Sequence, residues 1–332
     1  MHTALSSPRG KLLEQYVCAR IASMTGIDIG LFDYDRHNAL YYFIMNADEH
    51  LYMRYGGRDA RSADSYLDLD SLEIALKMGL ERHEMYREGG LEKQARPEPF
   101  FPRDIPGLKK EILPTRCVEC HLIADYEAQE AERVGKLDKR REMYRSPDIR
   151  TIGIALDVSN GLVVKEATDA VKRAGMKPGD LIVGVNGTPT LTFGDLQYFY
   201  DQTPRDSEQA RISVARNGAT KDLTIDLPKE WWWTDLDHRF WSVEPIIGFE
   251  SRPLSAREKK KHGFDTAGFA SEVTQVNRGA WMGKWNDLRT GDIVYAVDGV
   301  EVDEATQSCE THIRLAVTAG APFAANVLRP GA

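Results

Sequence analysis

One short segment of the chain occurs twice, and this repeat limits the possible folds more than any other feature. Residues 177–187 read KPGDLIVGVNG, and residues 289–299 read RTGDIVYAVDG, about 112 positions later. Each copy has a Gly-Asp turn, an apolar run of strand length and then Asn-Gly or Asp-Gly, a pair that favours a tight hairpin turn. The repeat predicts two copies of one small β unit. With 42% hydrophobic residues in the chain, each unit can bury a core.

The first copy resembles the central part of a PDZ domain. A short helix ends before the Gly-Asp turn, and Leu181–Val185 follows as a core strand. The Ile-Gly-Ile segment upstream stands where PDZ domains carry the loop whose backbone N–H groups bind a peptide carboxylate. The resemblance implies a PDZ-like domain at residues 151–228 that binds protein or peptide C-termini. The residues of the implied peptide site are Ile152, Gly153, Ile154, Leu196 and Phe199.

The second copy, at residues 229–332, resembles a PDZ domain less closely. Its Ile-Gly-Phe segment is separated from the next strand by Leu254–His262, a charged run that predicts an inserted helix. We therefore expect the first copy, and not the second, to bind extended peptides.

Cys117, Cys120 and His121 form a Cys-x-x-Cys-His segment between the N-terminal part and the repeats. This is the attachment pattern of a c-type haem: the thiols add to the vinyl groups of the porphyrin, and the adjacent imidazole binds iron. The spacing predicts haem c as a cofactor, with His121 as the metal ligand. Met143, His83 or a residue of a partner protein would be the sixth ligand.

Two other interpretations of this motif stay open. The cysteines would form a disulfide or a reduced dithiol that holds the connector, or they would bind a metal ion together with His121 and one further ligand. A structural zinc site prefers four protein ligands, and no second Cys/His pair stands at an ordinary spacing.

The N-terminal part, residues 1–88, shows the pattern of a hairpin and a helix. Apolar runs at 40–45 and 51–55 flank a turn at 46–49, and leucines recur at helical spacing over 69–86. This order resembles the second half of a thioredoxin-like fold. The half that would carry the Cys-x-x-Cys pair has no counterpart, so no thioredoxin chemistry is expected.

The segments around these elements carry three further predictions. Tyr16–Ile21 is predicted to be a strand that buries Cys18. Asp33 and Asp35 are predicted to hold a loop rather than a metal ion, because no third ligand is spaced nearby. Residues 89–150 are predicted to be a Pro-rich connector followed by a charged helix.

The order of these parts resembles a bacterial family of thioredoxin-like/PDZ domain (seleno)proteins. The matching segments are residues 46–48, 54–59, 117–121, 153–154, 179–180, 227–231 and 254–260. The resemblance implies an α+β multidomain chain with a truncated thioredoxin-like α/β domain, the Cys-x-x-Cys-His connector and two PDZ-like, partly open β-barrels. Full-length members of this family are exported. We therefore expect a periplasmic or otherwise extracytoplasmic protein whose signal peptide and redox segment precede this sequence.

Charge and motifs exclude several classes of function. A net charge of −8 without a long basic tract argues against nucleic acid as a partner. No apolar stretch reaches the length of a membrane span, and no Gly-x-Ser-Gly segment indicates a protease. The leading hypothesis is an extracytoplasmic PDZ protein with haem c that transfers electrons or recruits partners. The alternative is a non-enzymatic PDZ peptide-binding adaptor whose cysteines form a structural disulfide or a metal site.

Overall fold

The fold is given by a computed structural model that describes residues 4, 6–111, 118–234, 241–266, 269–277, 287–301 and 308–331. The chain divides into two compact units, Met1–Arg239 and Phe240–Ala332. The architecture is a mixture of helices and several small antiparallel sheets. Over the described ranges, no helix is long and apolar enough to cross a membrane.

The N-terminal half of the first unit contains the predicted hairpin and helix. Its elements are α1 (Pro8–Leu13), β1 (Tyr41–Met45), β2 (Leu51–Gly56), α2 (Leu69–Arg87), α3 (Pro106–Glu111), α4 (Cys120–Arg133) and α5 (Lys139–Glu142). β1 and β2 pair antiparallel, with Phe43 opposite Arg54. The carboxylate of Asp68 accepts hydrogen bonds from the N–H groups of Asp70 and Ser71, which satisfies donors left free at the start of α2. The hairpin and this helix are confirmed.

The two faces of the hairpin pack against different partners because side chains alternate along a strand. Side chains from one face and from α2 form a buried cluster of Ile44, Met53, Tyr55, Leu72, Ala75 and Leu76. On the other face, Tyr41 stacks on Tyr34 with ring centres 4.9 Å apart, and Phe43 meets the edge of Phe32 at 5.0 Å. In the part of the chain that the structure describes, no third strand joins this sheet. The thioredoxin-like fold therefore stays a prediction.

The prediction of a strand at Tyr16–Ile21 is wrong. These residues have no regular structure, and Val17 is fully exposed. Cys18, which we expected to be buried, is exposed as well. A run of apolar residues becomes a strand only where a neighbouring strand can pair with it. No described strand pairs with residues 16–21.

The rest of the first unit is PDZ-like. Its elements are β3 (Ile154–Leu156), β4 (Val164–Ala167), α6 (Asp169–Arg173), β5 (Leu181–Val185), β6 (Thr188–Pro189), α7 (Phe193–Asp201), β7 (Gln209–Arg216) and β8 (Ala219–Asp226). β3 pairs with β4, and the second sheet has the order β6-β5-β7-β8. The Val164 N–H donates to the Asp180 C=O and connects the two sheets. The short helix lies between β4 and β5, and the longer helix precedes β7, as the PDZ resemblance implies.

The second unit contains the second copy and its inserted helix. Its elements are β9 (Phe249–Pro253), α8 (Ala256–Lys261), β10 (Ser271–Val276), β11 (Ile293–Val297), β12 (Val300–Glu301), α9 (Cys309–Ala316) and β13 (Ala325–Leu328). The sheet order is β12-β11-β10-β9, and β13 also pairs with β11. The insertion is confirmed: α8 begins with a reciprocal cap between Ser255 and Glu258.

Each copy contains its own buried ion pair at an equivalent position. Asp180 follows the Gly of the repeated turn and accepts two hydrogen bonds of 2.6 Å from Arg216 of β7. Asp292 occupies the same place in the second copy and accepts hydrogen bonds of 2.8 and 2.9 Å from Arg329, next to β13. The carboxylates are 1% exposed in both cases. The repeated sequence therefore corresponds to a repeated structure.

Candidate functional site

β3 has one side with which no described strand pairs. β3 pairs only with β4 among the described strands. The Gly153 C=O and the Asp157 N–H both form hydrogen bonds on the β4 side. Backbone groups alternate in direction along an antiparallel strand, so those of Ile154 and Leu156 point away from β4. No hydrogen bond from another described residue reaches them.

The turn before β3 has the same form in both copies. Gly153 has a φ of 88°, and Gly248, before β9, has a φ of 72°. Positive φ favours glycine, which explains why both segments carry it at this point. Ile152 and Ile154 are 4% and 0% exposed, so their side chains lie in the core. Of the predicted peptide-site residues, these two therefore present no exposed side chain to a ligand.

The predicted helical wall of the groove, α7, is covered by the N-terminal hairpin. Leu196 is fully buried. Phe199 is half-buried, and the Arg54 guanidinium of β2 lies 5.8 Å from the centre of its ring. The first turn of α7 is also close to β2: a Cβ built on Gly194 would lie 2.8 Å from the Arg54 carbonyl oxygen. The structure thus brings Phe199 to the hairpin, a contact that the sequence did not indicate.

Residues 57–66, here called the covering loop, continue this contact along α7. The ring of Tyr66 stacks on Phe193 with centres 3.4 Å apart. Gln197 binds the backbone of Arg58 twice: Nε2 donates to the C=O at 2.9 Å, and Oε1 accepts from the N–H at 3.3 Å. These contacts hold the loop against one face of the helix.

The covering loop also contacts the segment that leads into β3. The Tyr66 hydroxyl donates to Asp148 at 3.3 Å, and Arg150 is paired with both Asp59 and Asp148. Burial favours the neutral form of Asp59, but hydrogen bonds from Arg150 and two backbone N–H groups outweigh it and lower the pKa to about 2. The loop therefore lies between α7 and the residues before Gly153, at the end of the groove where a peptide carboxylate is expected.

Ion pairs connect the segment that contains Asp33 and Asp35 to residues near β3. Arg58 is fully buried and donates from Nε to Asp35 at 2.6 Å. Arg145 donates to Asp33 at 3.0 Å, and the Tyr198 hydroxyl donates to the same carboxylate at 3.1 Å. Both aspartates are thus engaged with cations, in agreement with the predicted loop role.

Two residues outside the predicted site supply its main polar contacts. Gln197 binds the covering loop, and Asp195 accepts a hydrogen bond of 2.9 Å from the Arg54 N–H. Burial raises the pKa of Asp195 to about 6, against the lowering effect of Arg54. A sequence signal exists: both are polar residues within 193–200, where the other residues are glycine, apolar or aromatic. It indicates a covered helix but not its partner.

The described part of the Cys-x-x-Cys-His motif lies at the start of α4, while Cys117 is outside the described residues. The Cys120 sulfur accepts a hydrogen bond from the Tyr34 hydroxyl at 3.0 Å. The His121 side chain is 65% exposed, with Nε2 3.2 Å from Glu119. Cys120 therefore points to the protein interior and His121 to solvent.

The described surroundings of Cys120 are apolar and buried. The apolar cluster beside Cys120 is closed by side chains that are at most 6% exposed: Met24, Ile29, Ile105, Leu108, Val118 and Ile123. A porphyrin joined to Cys120 with its iron on His121 would have to displace part of this cluster. Met143 is fully buried, and His83 is bonded to Tyr52 at 2.9 Å. Within the described ranges, no group of three His, Cys, Asp or Glu side chains is placed to hold a metal ion.

Comparisons with known proteins find similarities among solved structures. No protein-family model matches the chain, and no curated protein matches it. The PDZ domain of EpsC from Vibrio cholerae matches 31% of this chain over 98% of its own length, with 21% identity and a TM-score of 0.18. The PDZ-like description of residues 151–228 rests on their strand order and on the positions of their helices. A similarity with so low a TM-score adds nothing to it.

Proposed function

We propose that the protein is a non-enzymatic adaptor that binds an extended peptide segment of a partner by strand addition to β3. The observation that carries this proposal is the side of β3 that no described strand pairs with, where the backbone groups of Ile154 and Leu156 point away from β4. Both residues are buried, so the part of the chain that covers them has to move before a peptide reaches this side. A peptide strand placed there satisfies both residues' N–H and C=O groups. PDZ domains obtain affinity in this way, through main-chain hydrogen bonds at a sheet edge.

The covering loop affects how a ligand enters. Because residues 57–66 contact both α7 and Asp148, they fill the end of the groove at which a terminal carboxylate would bind. A partner with a free C-terminus has to move this loop, and its affinity is reduced by the fraction of molecules in which the loop is closed. An internal extended segment can use the β3 edge without reaching that end.

The experiment uses the full chain and a phage-displayed library of random linear peptides, followed by affinity measurement of a selected peptide. Leu156→Pro removes the outward N–H of β3 and keeps the hydrogen bonds to β4, which Leu156 does not make. Leu156→Ala is the matched control, because it loses the same buried side chain and keeps the N–H. We expect Leu156→Pro to bind at least about fivefold more weakly than the control, the effect of one main-chain hydrogen bond. Equal affinities in two folded variants would contradict strand addition at β3.

Covalent haem at Cys117, Cys120 and His121 remains a prediction of the sequence, and the adaptor is preferred because Cys120 is packed against Tyr34 and the apolar cluster. Expression with an export leader in a host that matures c-type cytochromes separates the two functions. A chain that carries no haem after denaturation, beside a matured control cytochrome, agrees with the adaptor. A covalent haem band on the wild type that Cys120→Ala abolishes would establish the electron-transfer alternative.

A further inference from the structure

We infer that β9 of the second unit is a second site for an extended peptide, and that Glu310 of α9 keeps it closed. This inference rests on the proposed function, from which it takes the class of ligand: a peptide segment that binds as an added strand. Its site is separate from β3 and belongs to the other compact unit.

The backbone of Ser251 occupies the same position in β9 that Leu156 occupies in β3. The Leu254 N–H donates to the Ala270 C=O, across from β10. Ser251 lies three residues before Leu254 on the paired strand, so its own backbone groups point away from β10. β9 is the last strand of the path β12-β11-β10-β9, and that outward side is a sheet edge.

A side chain takes the hydrogen bond that an incoming strand would make at this edge. The Ser251 N–H donates to the Glu310 carboxylate at 2.6 Å, and the Ser251 hydroxyl lies 3.2 Å from the same oxygen. Glu310 is in the first turn of α9, the helix that corresponds to α7. Its carboxylate therefore lies where the C=O group of a bound peptide would accept a hydrogen bond from the Ser251 N–H. This contact connects α9 with β9.

The first copy lacks this closure. The side chains of Thr192 and Ser308 cap the two corresponding helices. Two residues after each cap, α9 has Glu310, whereas α7 has Gly194. Without a side chain, Gly194 has nothing that reaches β3, and it packs on the Arg54 carbonyl instead. The two copies share a frame and differ in what occupies the strand edge.

The test measures peptide binding to the full chain with Glu310→Ala, which frees the Ser251 N–H, and Glu310→Gln, which removes the charge but keeps an acceptor oxygen. The probe is the same library of random linear peptides. We expect Glu310→Ala to gain binding of about tenfold to a hundredfold, the effect of removing one charge-assisted competing hydrogen bond, and Glu310→Gln to gain less, because its neutral amide oxygen still competes. Glu310→Ser serves as a second opening variant if Glu310→Ala does not fold.

Leu156→Pro in the same chain separates this inference from the proposed function. The gain from Glu310→Ala must persist in the double variant, because β9 does not depend on β3. A gain that Leu156→Pro abolishes, or no gain in folded Glu310→Ala and Glu310→Ser, overturns the inference. Self-association of these variants without peptide binding also overturns it, since Glu310 would then only protect an exposed strand edge.

Discussion

Asp195 is a buried carboxyl group in the contact between α7 and the hairpin. It accepts the Arg54 N–H at 2.9 Å, and the Arg54 guanidinium is 4.0 Å away. Burial is the largest influence on this group and raises its pKa to about 6, above the value of about 3.9 in an unfolded chain. The folded state therefore binds a proton at this site more tightly than the unfolded state does.

This difference predicts how stability depends on pH. The contribution of the protonated Asp195 is fully present below about pH 4 and is lost as the pH rises through about 6. We expect the free energy of unfolding of the first unit to increase by about 1 kcal/mol between pH 7 and pH 5 from this group. Asp195→Asn, which keeps an acceptor for the Arg54 N–H, should show no such increase.

Urea unfolding curves at several pH values measure this dependence. The range must stay above pH 5, because Asp33 and Asp59 have lowered pKa values and their ion pairs lose stability in more acidic solution. A slope between pH 7 and pH 5 that is the same in the wild type and in Asp195→Asn would show that Asp195 is not the group responsible.

The three cysteines whose positions the structure describes show how far residue type alone predicts burial. Cys309 is fully buried, and burial raises its pKa to about 12. Cys18 was predicted to be buried and is exposed, while Cys120 is half-buried under Tyr34. The general preference of free Cys for the interior holds only where a core is available.

At the scale of elements, the sequence predicted those parts that depend on neighbouring residues. The hairpin, the cap of α2 by Asp68 and the start of α8 at Ser255 all follow from short-range patterns. The contact between the hairpin and α7 could not be predicted in this way. It joins Arg54 to Asp195, which are 141 positions apart in the sequence. The Glu310 contact spans 59 positions for the same reason.

The covering loop gives a prediction at this scale. Asp59→Asn weakens the ion pair with Arg150 and leaves Asp148 as the partner of that arginine. We expect a folded Asp59→Asn chain to bind a peptide with a free C-terminus severalfold more tightly than the wild type does, because the open form of the loop becomes more populated.

Isothermal titration of one selected peptide into each variant measures this effect. Asp64→Asn is the control: it makes the same charge change in the same loop, and the hydrogen bond described for its side chain is with Ser62, inside the loop. An equal gain in both variants would attribute the effect to net charge. Unchanged affinity in Asp59→Asn would show that the loop does not limit access to the groove.

The molecule contains two copies of one small β frame, and a different contact limits ligand access in each. In the first unit, residues 57–66 cover one end of the groove, while the outer side of β3 pairs with no described strand. In the second unit, the Glu310 carboxylate accepts a hydrogen bond from the Ser251 N–H of β9. The shared frame was visible in the repeated sequence, whereas the closures depend on single side chains and on contacts distant in sequence. We therefore expect ligand binding in the first unit of the unmodified protein.

Amide hydrogen exchange of the full chain, with and without a peptide selected from the library, tests this assignment most directly. An added strand accepts hydrogen bonds from the outward N–H groups of β3 and protects them from exchange. We expect the peptide to slow exchange at Ile154 and Leu156, while exchange at Ser251 stays as it is in the free protein. Peptide binding that leaves Ile154 and Leu156 unprotected, or a library that yields no binding peptide, would contradict it.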